Sequence, residues 1–237
     1  MRPKFAGILV LLVAVVGCDS VEIVSVGSVR LPYKREVSVK GEFTSEGFTC
    51  RTVSGPIRVS GTRSKEAILR VTVYEKIQGD VAVELKGGTI KLRSKGNHPV
   101  YLASMVAELP DKTSLTLNTI SGDIHIQDIS GQKIALETVS GRMLFENIGP
   151  ETLDLSTVSG GITIKGADGI KEAVFDTVSG DIKLVGVKAR GIYVKTVSGN
   201  LYLKGCTLGD IEYDTISGRI DLKGTTYQRK NVKSLSR

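Results

Sequence analysis

The stretch from Leu109 to Gly161, "LPDKTSLTLNTISGDIHIQDISGQKIALETVSGRMLFENIGPETLDLSTVSGG", states one phrase three times: Thr119-Ile-Ser-Gly, Thr138-Val-Ser-Gly and Thr157-Val-Ser-Gly. Over the whole chain the Thr of each Thr-(Val/Ile)-Ser-Gly unit falls at 52, 119, 138, 157, 177, 196 and 215, in steps of 67, 19, 19, 20, 19 and 19. A fixed period of this length marks a repeat architecture and takes precedence over any local motif. Seven copies of Ser and Thr invite a catalytic or ligand-binding reading, and the residues around them decide against it.

Counting from the repeated Thr, position +5 holds Ile57, Ile124, Met143, Ile162, Ile182, Leu201 and Ile220, and position +7 holds Val59, Ile126, Phe145, Ile164, Leu184, Leu203 and Leu222. Apolar residues two apart mean a strand with one buried face. Position −2 holds Cys50, Leu117, Leu136, Leu155, Phe175, Val194 and Tyr213, and position −4 is also apolar, which makes a second strand per repeat. Position +9 is Gly61, Asp128, Asn147, Gly166, Gly186, Gly205 or Gly224, residue types that tolerate a positive φ, so it reads as a turn.

The apolar phase slips at the tetrapeptide itself. Positions −4 and −2 share one phase, whereas the Val/Ile at +1 runs in phase with +5 and +7, so a corner or bulge must absorb a residue there. The corner residues are Thr52, Ser54 and Gly55; Thr119, Ser121 and Gly122; Thr138, Ser140 and Gly141; Thr157, Ser159 and Gly160; Thr177, Ser179 and Gly180; Thr196, Ser198 and Gly199; Thr215, Ser217 and Gly218. Gly lets the chain bend, and stacked Thr and Ser can bond to like residues in neighbouring coils or to the corner backbone. Two short strands and two turns cannot bury their apolar face alone, so each unit must stack on its copies, about 4.8 Å per coil. The expected fold is all-β: a single-domain β-solenoid with coils of about 19 residues and an irregular N-terminal portion. A right-handed parallel β-helix is preferred by analogy with long-coil β-helices, and a sandwich or meander is the competing arrangement.

Composition agrees: 237 residues, 41% hydrophobic and 24% charged, with 27 Gly, 6 Pro and no Trp, describe a globular chain of short strands and tight turns. The first residues are a separate object. Arg2 and Lys4 precede an apolar run, Ile8 to Val16, too short to span a bilayer comfortably, and then Val15-Val16-Gly17-Cys18. This resembles a bacterial lipobox, which implies cleavage of residues 1–17 and acylation of Cys18, with palmitate among the lipids. Residues 18–36 would be the lipidated N-terminus and tether, 37–225 the solenoid with regular coils over 113–225, and 226–237 a basic solvated tail. The expected location is the extracytoplasmic side of a membrane, at its periplasmic inner-membrane face, in the outer membrane or at the cell surface. Several acyl chains would hold the protein there stably.

The net charge of +7 does not indicate a nucleic-acid partner. Arg2 and Lys4 supply two of it and Lys223, Arg229, Lys230, Lys233 and Arg237 five, leaving the body at zero. On the outward positions one strand of each repeat leans basic and the other acidic. Lys165, Lys183, Lys204 and Lys223 form a candidate face for an envelope polyanion or an acidic protein partner.

From Arg63 to Lys112 the tetrapeptide is missing, but alternation persists in "AILRVTVYEK", "DVAVELKG" and "TIKLRSK". Longer degenerate coils and paired strands are expected there, with a hairpin across Lys86-Gly87-Gly88. Cys50 and Cys206 lie in coils too far apart to bridge and should be buried free thiols.

With its recurring Thr-(Val/Ile)-Ser-Gly-Asp-(Ile/Val) coils, as in "TISGDI" at 119 and "TVSGDI" at 177, the entry strand "ELPDKTSLTLNTISG" and "VSGTRSKEAILRVTV" after the first coil, the chain resembles the bacterial adhesin-like β-strand repeat family over about residues 38–225. The resemblance implies an exported, envelope-associated solenoid of unknown activity with no catalytic residues to transfer. Pro56, Arg142, Gly161, Asn200 and Arg219 replace the Asp that follows Gly elsewhere, so no Asp ligand row exists. His98 and His125 lack triad or zinc-site spacing.

The expectation is therefore a non-enzymatic, lipid-anchored binding or scaffold protein without metal or cofactor. The alternatives are a polysaccharide-active β-helix enzyme and a self-assembling solenoid. The sequence leaves the oligomeric state open.

Overall fold

The computed structural model describes residues 11–12, 24–26, 29–53 and 55–234. The lipidation candidate Cys18 and the corner residue Ser54 lie outside the described residues. No helix occurs among those described.

The N-terminal strands are β1 (Leu11–Leu12), β2 (Val24–Val26), β3 (Val29–Leu31) and β4 (Tyr33–Glu42). The first coil is β5 (Gly47–Arg51) and β6 (Ile57–Thr62), followed by β7 (Glu66–Glu75), β8 (Val81–Lys86), β9 (Thr89–Ser94) and β10 (Val100–Pro110). The regular coils comprise β11 (Ser114–Thr119), β12 (Ile124–Gln127), β13 (Lys133–Thr138), β14 (Met143–Ile148), β15 (Thr152–Thr157), β16 (Ile162–Thr177) and β17 (Ile182–Thr196). They close with β18 (Leu201–Lys204), β19 (Thr207–Thr215), β20 (Ile220–Lys223) and β21 (Thr226–Ser234).

The repeat rows become parallel ladders, with one register shift, between Ala167 and Ile170, absorbing the extra residue of the 20-residue step. Before the corner, Leu115 pairs with Ile134, Leu117 with Leu136 and Thr119 with Thr138; after it, Ile124 pairs with Met143 and Ile126 with Phe145. The first coil joins the same stack across its 67-residue gap, β5 against β11 and β6 against β12. Rows −4, −2, +5 and +7 meet in one apolar core, with Phe48, Leu117, Phe145, Ile164 and Leu184 fully buried. The chain is a β-solenoid.

At the corner, the Thr rather than the Val/Ile turns inward. Thr119, Thr138, Thr157, Thr177, Thr196 and Thr215 are buried, and their Oγ1 atoms accept from the N–H of the Gly three residues on, at 2.8–3.3 Å. The inward hydroxyl satisfies a backbone donor that no strand pairs, and the next residue is forced out. Sequence phase alone groups the Val/Ile with rows +5 and +7, yet it stands exposed. Ser140, Ser159, Ser179, Ser198 and Ser217 donate from both N–H and Oγ to the Val/Ile carbonyl of the previous coil. A Cβ on Gly122, Gly141, Gly160, Gly180, Gly199 or Gly218 would overlap the carbonyl oxygen of the Gly one coil earlier, so close stacking, not φ, demands glycine there. At the opposite turn Asp128, Asn147, Gly166, Gly186, Gly205 and Gly224 do take positive φ. Gly61 does not, because β6 runs on through it to pair with β10.

The 63–112 region differs from the expected degenerate coils: it is an antiparallel cap. β4 pairs with β7 and β7 with β10, while β8 and β9 form the hairpin across Gly87 and Gly88. Arg35 and Glu75, both buried, clasp it through Nε–Oε1 at 2.8 Å and Nη2–Oε2 at 3.1 Å. Glu75 also accepts from the N–H groups of Gly79 and Val81. Burial opposes its charge, but these donors outweigh it and hold its pKa below the ordinary carboxylate value.

Residues 226–234, expected as part of a basic solvated tail, stay exposed but form a strand of the stack. β21 is a further parallel strand on β19, with Thr226 opposite Thr207 and Val232 opposite Tyr213. Its cations find local acids: Arg229 grips Asp210 at 2.7 and 2.8 Å, and Lys233 reaches Glu212 at 3.2 Å. Lys230 stands opposite the core residue Ile211, putting a charge at the open end of the apolar row. Such inward charges blunt an edge against further stacking.

Cys50 and Cys206 are buried and free, and burial pushes the Cys50 thiol up to about 12. Both are expected to resist alkylation in the native protein and to titrate as two thiols in denaturant without reductant.

A second prediction separates the corner rows. Gly160→Ala forces a methyl against the Gly141 backbone and is expected to cost about 1–3 kcal/mol or more. Ser159→Ala at the same exposed corner should cost less than about 1 kcal/mol. Urea unfolding of both variants checks the ordering.

Candidate binding site on the outward face

Between corner and turn, the strands β6, β12, β14, β16 and β17 expose their +4 and +6 side chains side by side. A groove of about 560 Å³ crosses them. Gly161 leaves a gap in its wall, Leu144 and Thr163 lie centrally, and Arg58, Arg142, Lys165 and Lys183 supply cations.

The charges are partly spent within the chain. Arg142 holds Asp123 through its N–H and Nη2, each at 2.9 Å, and these bonds keep the Asp123 pKa low. Lys165 reaches Glu146 at 3.1 Å and His125 Nε2 reaches its other oxygen at 2.9 Å, with Lys165 the larger cause of the lowered Glu146 pKa. Asp181 accepts from Asn200 N–H and Nδ2.

Of the four lysines picked out from sequence, the groove brings Lys165 and Lys183 together, whereas Lys204 and Lys223 lie on the later strands β18 and β20. The Lys183 ammonium sits 5.7 Å from the Tyr202 ring centroid. Arg58, one strand from His125 and exposed, completes the groove and was passed over in sequence because the first coil lies 67 residues away. The acidic strand rows are offset by Lys133 with Asp154 at 3.9 Å and by the β21 cations.

The second histidine belongs to a polar knot in the cap. Asp80 accepts from Ser94 Oγ, from Gly96 N–H at 3.0 Å and from His98 Nδ1 at 3.1 Å, while Ser94 Oγ accepts from His98 N–H. The hydroxyl donates to the carboxylate and not to the imidazole, so a nucleophile–base pair is not assembled. Ser94 first, then His98 and Gly96, lower Asp80 to about 2. Its contribution to stability is therefore complete above the ordinary value of 3.8 and is lost as the pH falls towards 2. The unfolding midpoint should drop across that window, and Asp80→Asn should flatten the drop.

Fold and surface together define a β-solenoid with a fixed corner and a variable outward face. Residues 21–236 match the Toastrack DUF4097 family, and the chain belongs to it. Among curated protein sequences none matches. Solved structures with a similar fold include a "putative adhesin" from Parabacteroides merdae, 14% identical, covering 85% of this chain and 96% of that one with a TM-score of 0.46. Another is a "putative lipid binding protein" from Parabacteroides distasonis, also 14% identical, covering 84% and 95% with a TM-score of 0.48. A third, a "putative adhesin" from Parabacteroides distasonis, is 16% identical and covers 84% and 96% with a TM-score of 0.41.

Proposed function

We propose that the protein is a lipid-anchored, non-enzymatic β-solenoid of the bacterial envelope that binds an anionic envelope polymer or an acidic partner on its basic outward face. The groove carries the reading: Arg58, Arg142, Lys165 and Lys183 line it, and Lys204 and Lys223 extend the cationic rows beyond it. Arg142, Lys165 and Lys183 belong to three successive coils, each about 4.8 Å from the next, and Arg58 lies two coils before Arg142, a spread of cations suited to an extended polyanion. The hydroxyls of the repeat support a non-catalytic role, since they are spent on corner backbone. The anchor rests on the basic and apolar leader that ends in Val15-Val16-Gly17-Cys18. Acylation at Cys18 would hold the solenoid near the outer face of the membrane that carries it.

The test uses dextran sulfate as the polyanion probe. The protein should be retained on it at low salt and released as ionic strength rises, and Lys165→Glu, Lys183→Glu and Lys204→Glu combined should lose retention by at least tenfold. Unchanged retention after that charge reversal would dispose of the binding face. Labelled palmitate should be incorporated in cells, and Cys18→Ala should abolish the label.

A further inference from the structure

The outward-turned residue at each corner builds a second surface, separate from the basic groove. Ile120, Val139, Val158, Val178, Val197 and Ile216 stand one above another, each 43–51% exposed. Isolated apolar residues on a surface need no explanation, but a continuous ridge about 24 Å long at the strand spacing of parallel coils does. Beside it runs a longitudinal groove of about 370 Å³. The buried Thr row floors this groove, Val139 to Val197 form one wall, and the −1 row of Glu137, Ser156, Asp176 and Lys195 forms the other.

Both rows are self-complementary when reversed. Over the six contiguous coils the ridge reads Ile-Val-Val-Val-Val-Ile in either direction, and Val53 of the first coil, 60% exposed, continues it one step past Ile120. Turning a second copy end over end about an axis between Val158 and Val178 sets Ile120 against Ile216, Val139 against Val197 and Val158 against Val178. In the neighbouring row the same operation brings Glu137 to Lys195, Asn118 to Asp214 and Ser156 to Asp176; one coil further out it brings Arg51 to Lys233, whose charge Glu212 and Asp214 already answer within the chain. Glu137 and Lys195 make no ion pair within the chain among the described residues, so both charges are available. Shifting the register by one coil sets Glu137 against Asp176. A parallel arrangement of the ridges about a shared axis leaves the charges facing serines.

We infer that the corner ridge is an antiparallel, two-fold homodimer interface in which Val158 meets Val178 of a second copy and Glu137 meets Lys195. A closed two-fold contact uses the same patch on both chains and stops at two. The narrow ridge places it among small interfaces, so association in the micromolar range or weaker is expected.

Sedimentation equilibrium of the full chain should show a reversible monomer–dimer equilibrium. Val158→Lys with Val178→Lys should shift the dissociation constant up by at least tenfold while leaving the thermal midpoint unchanged, as expected of exposed positions. Glu137→Lys and Lys195→Glu should each weaken the dimer, and the two together should restore it. The register is read directly by mixing Glu137→Cys protein with Lys195→Cys protein under mild oxidation: the mixed pair should crosslink and Glu137→Cys alone should not. A monomer at every concentration, a dimer indifferent to the lysine pair, or self-crosslinking of Glu137→Cys would each overturn the inference.

Discussion

The structure depends on how closely one coil can lie on the next at its corner. Gly141 has its backbone against the Gly122 carbonyl, Gly160 against Gly141 and Gly180 against Gly160, with no space for a side chain in between. The turn that makes this approach possible leaves a glycine N–H without a strand partner. The inward Thr hydroxyl three residues earlier accepts it, so a polar atom sits at the margin of an apolar core without a desolvation deficit. The Ser then ties the corner to the coil below through two donors on one carbonyl. Bend, clearance and coil-to-coil bonding thus account for Thr, Gly and Ser. The second position makes no such demand and tolerates Val or Ile facing water.

From that corner the rest follows by stacking. Each coil buries its apolar face only against its neighbours, so the ends are the vulnerable parts. The two ends are closed by different means. At the N-terminal end an antiparallel cap is clasped by the buried Arg35–Glu75 pair, whose lone pairs and donors are filled by Gly79, Val81 and the guanidinium itself. Breaking such a pair costs more than replacing it whole by apolar residues, because one buried charge is left over. At the C-terminal end β21 spends Arg229 and Lys233 on the acids of β19 and points Lys230 along the core row. The basic residues of the terminus therefore serve first to finish the solenoid.

Constant corners free the outward rows to vary. Along the groove, neighbouring coils answer each other's charges, Asp123 with Arg142 and Glu146 with Lys165, while Arg58 has no acid opposite it. Across the corner, the Val/Ile ridge and the mixed charges of the −1 row make a surface of different chemistry. One fold thus presents two faces of different chemistry, one varied from coil to coil and one held to Val or Ile by the repeat.

The period, the two strands per coil, the core rows and the corner were legible in the sequence, because a 19-residue repeat places the same chemistry at the same place each time. The last coil was legible too, since Thr226 and Val232 follow Thr207 and Tyr213 by one period, but charge without the tetrapeptide made it look like a tail. Three features only the tertiary structure decided. Arg58 joins the groove because β6 stacks on β12 across a long insertion, a contact that local periodicity cannot report. The 63–112 segment forms an antiparallel cap, since alternation specifies a buried face and not a partner. The Val/Ile row faces water because the Thr hydroxyl has a hydrogen bond to make inside, and that geometric demand outranks the apolar pattern by which the row was first read.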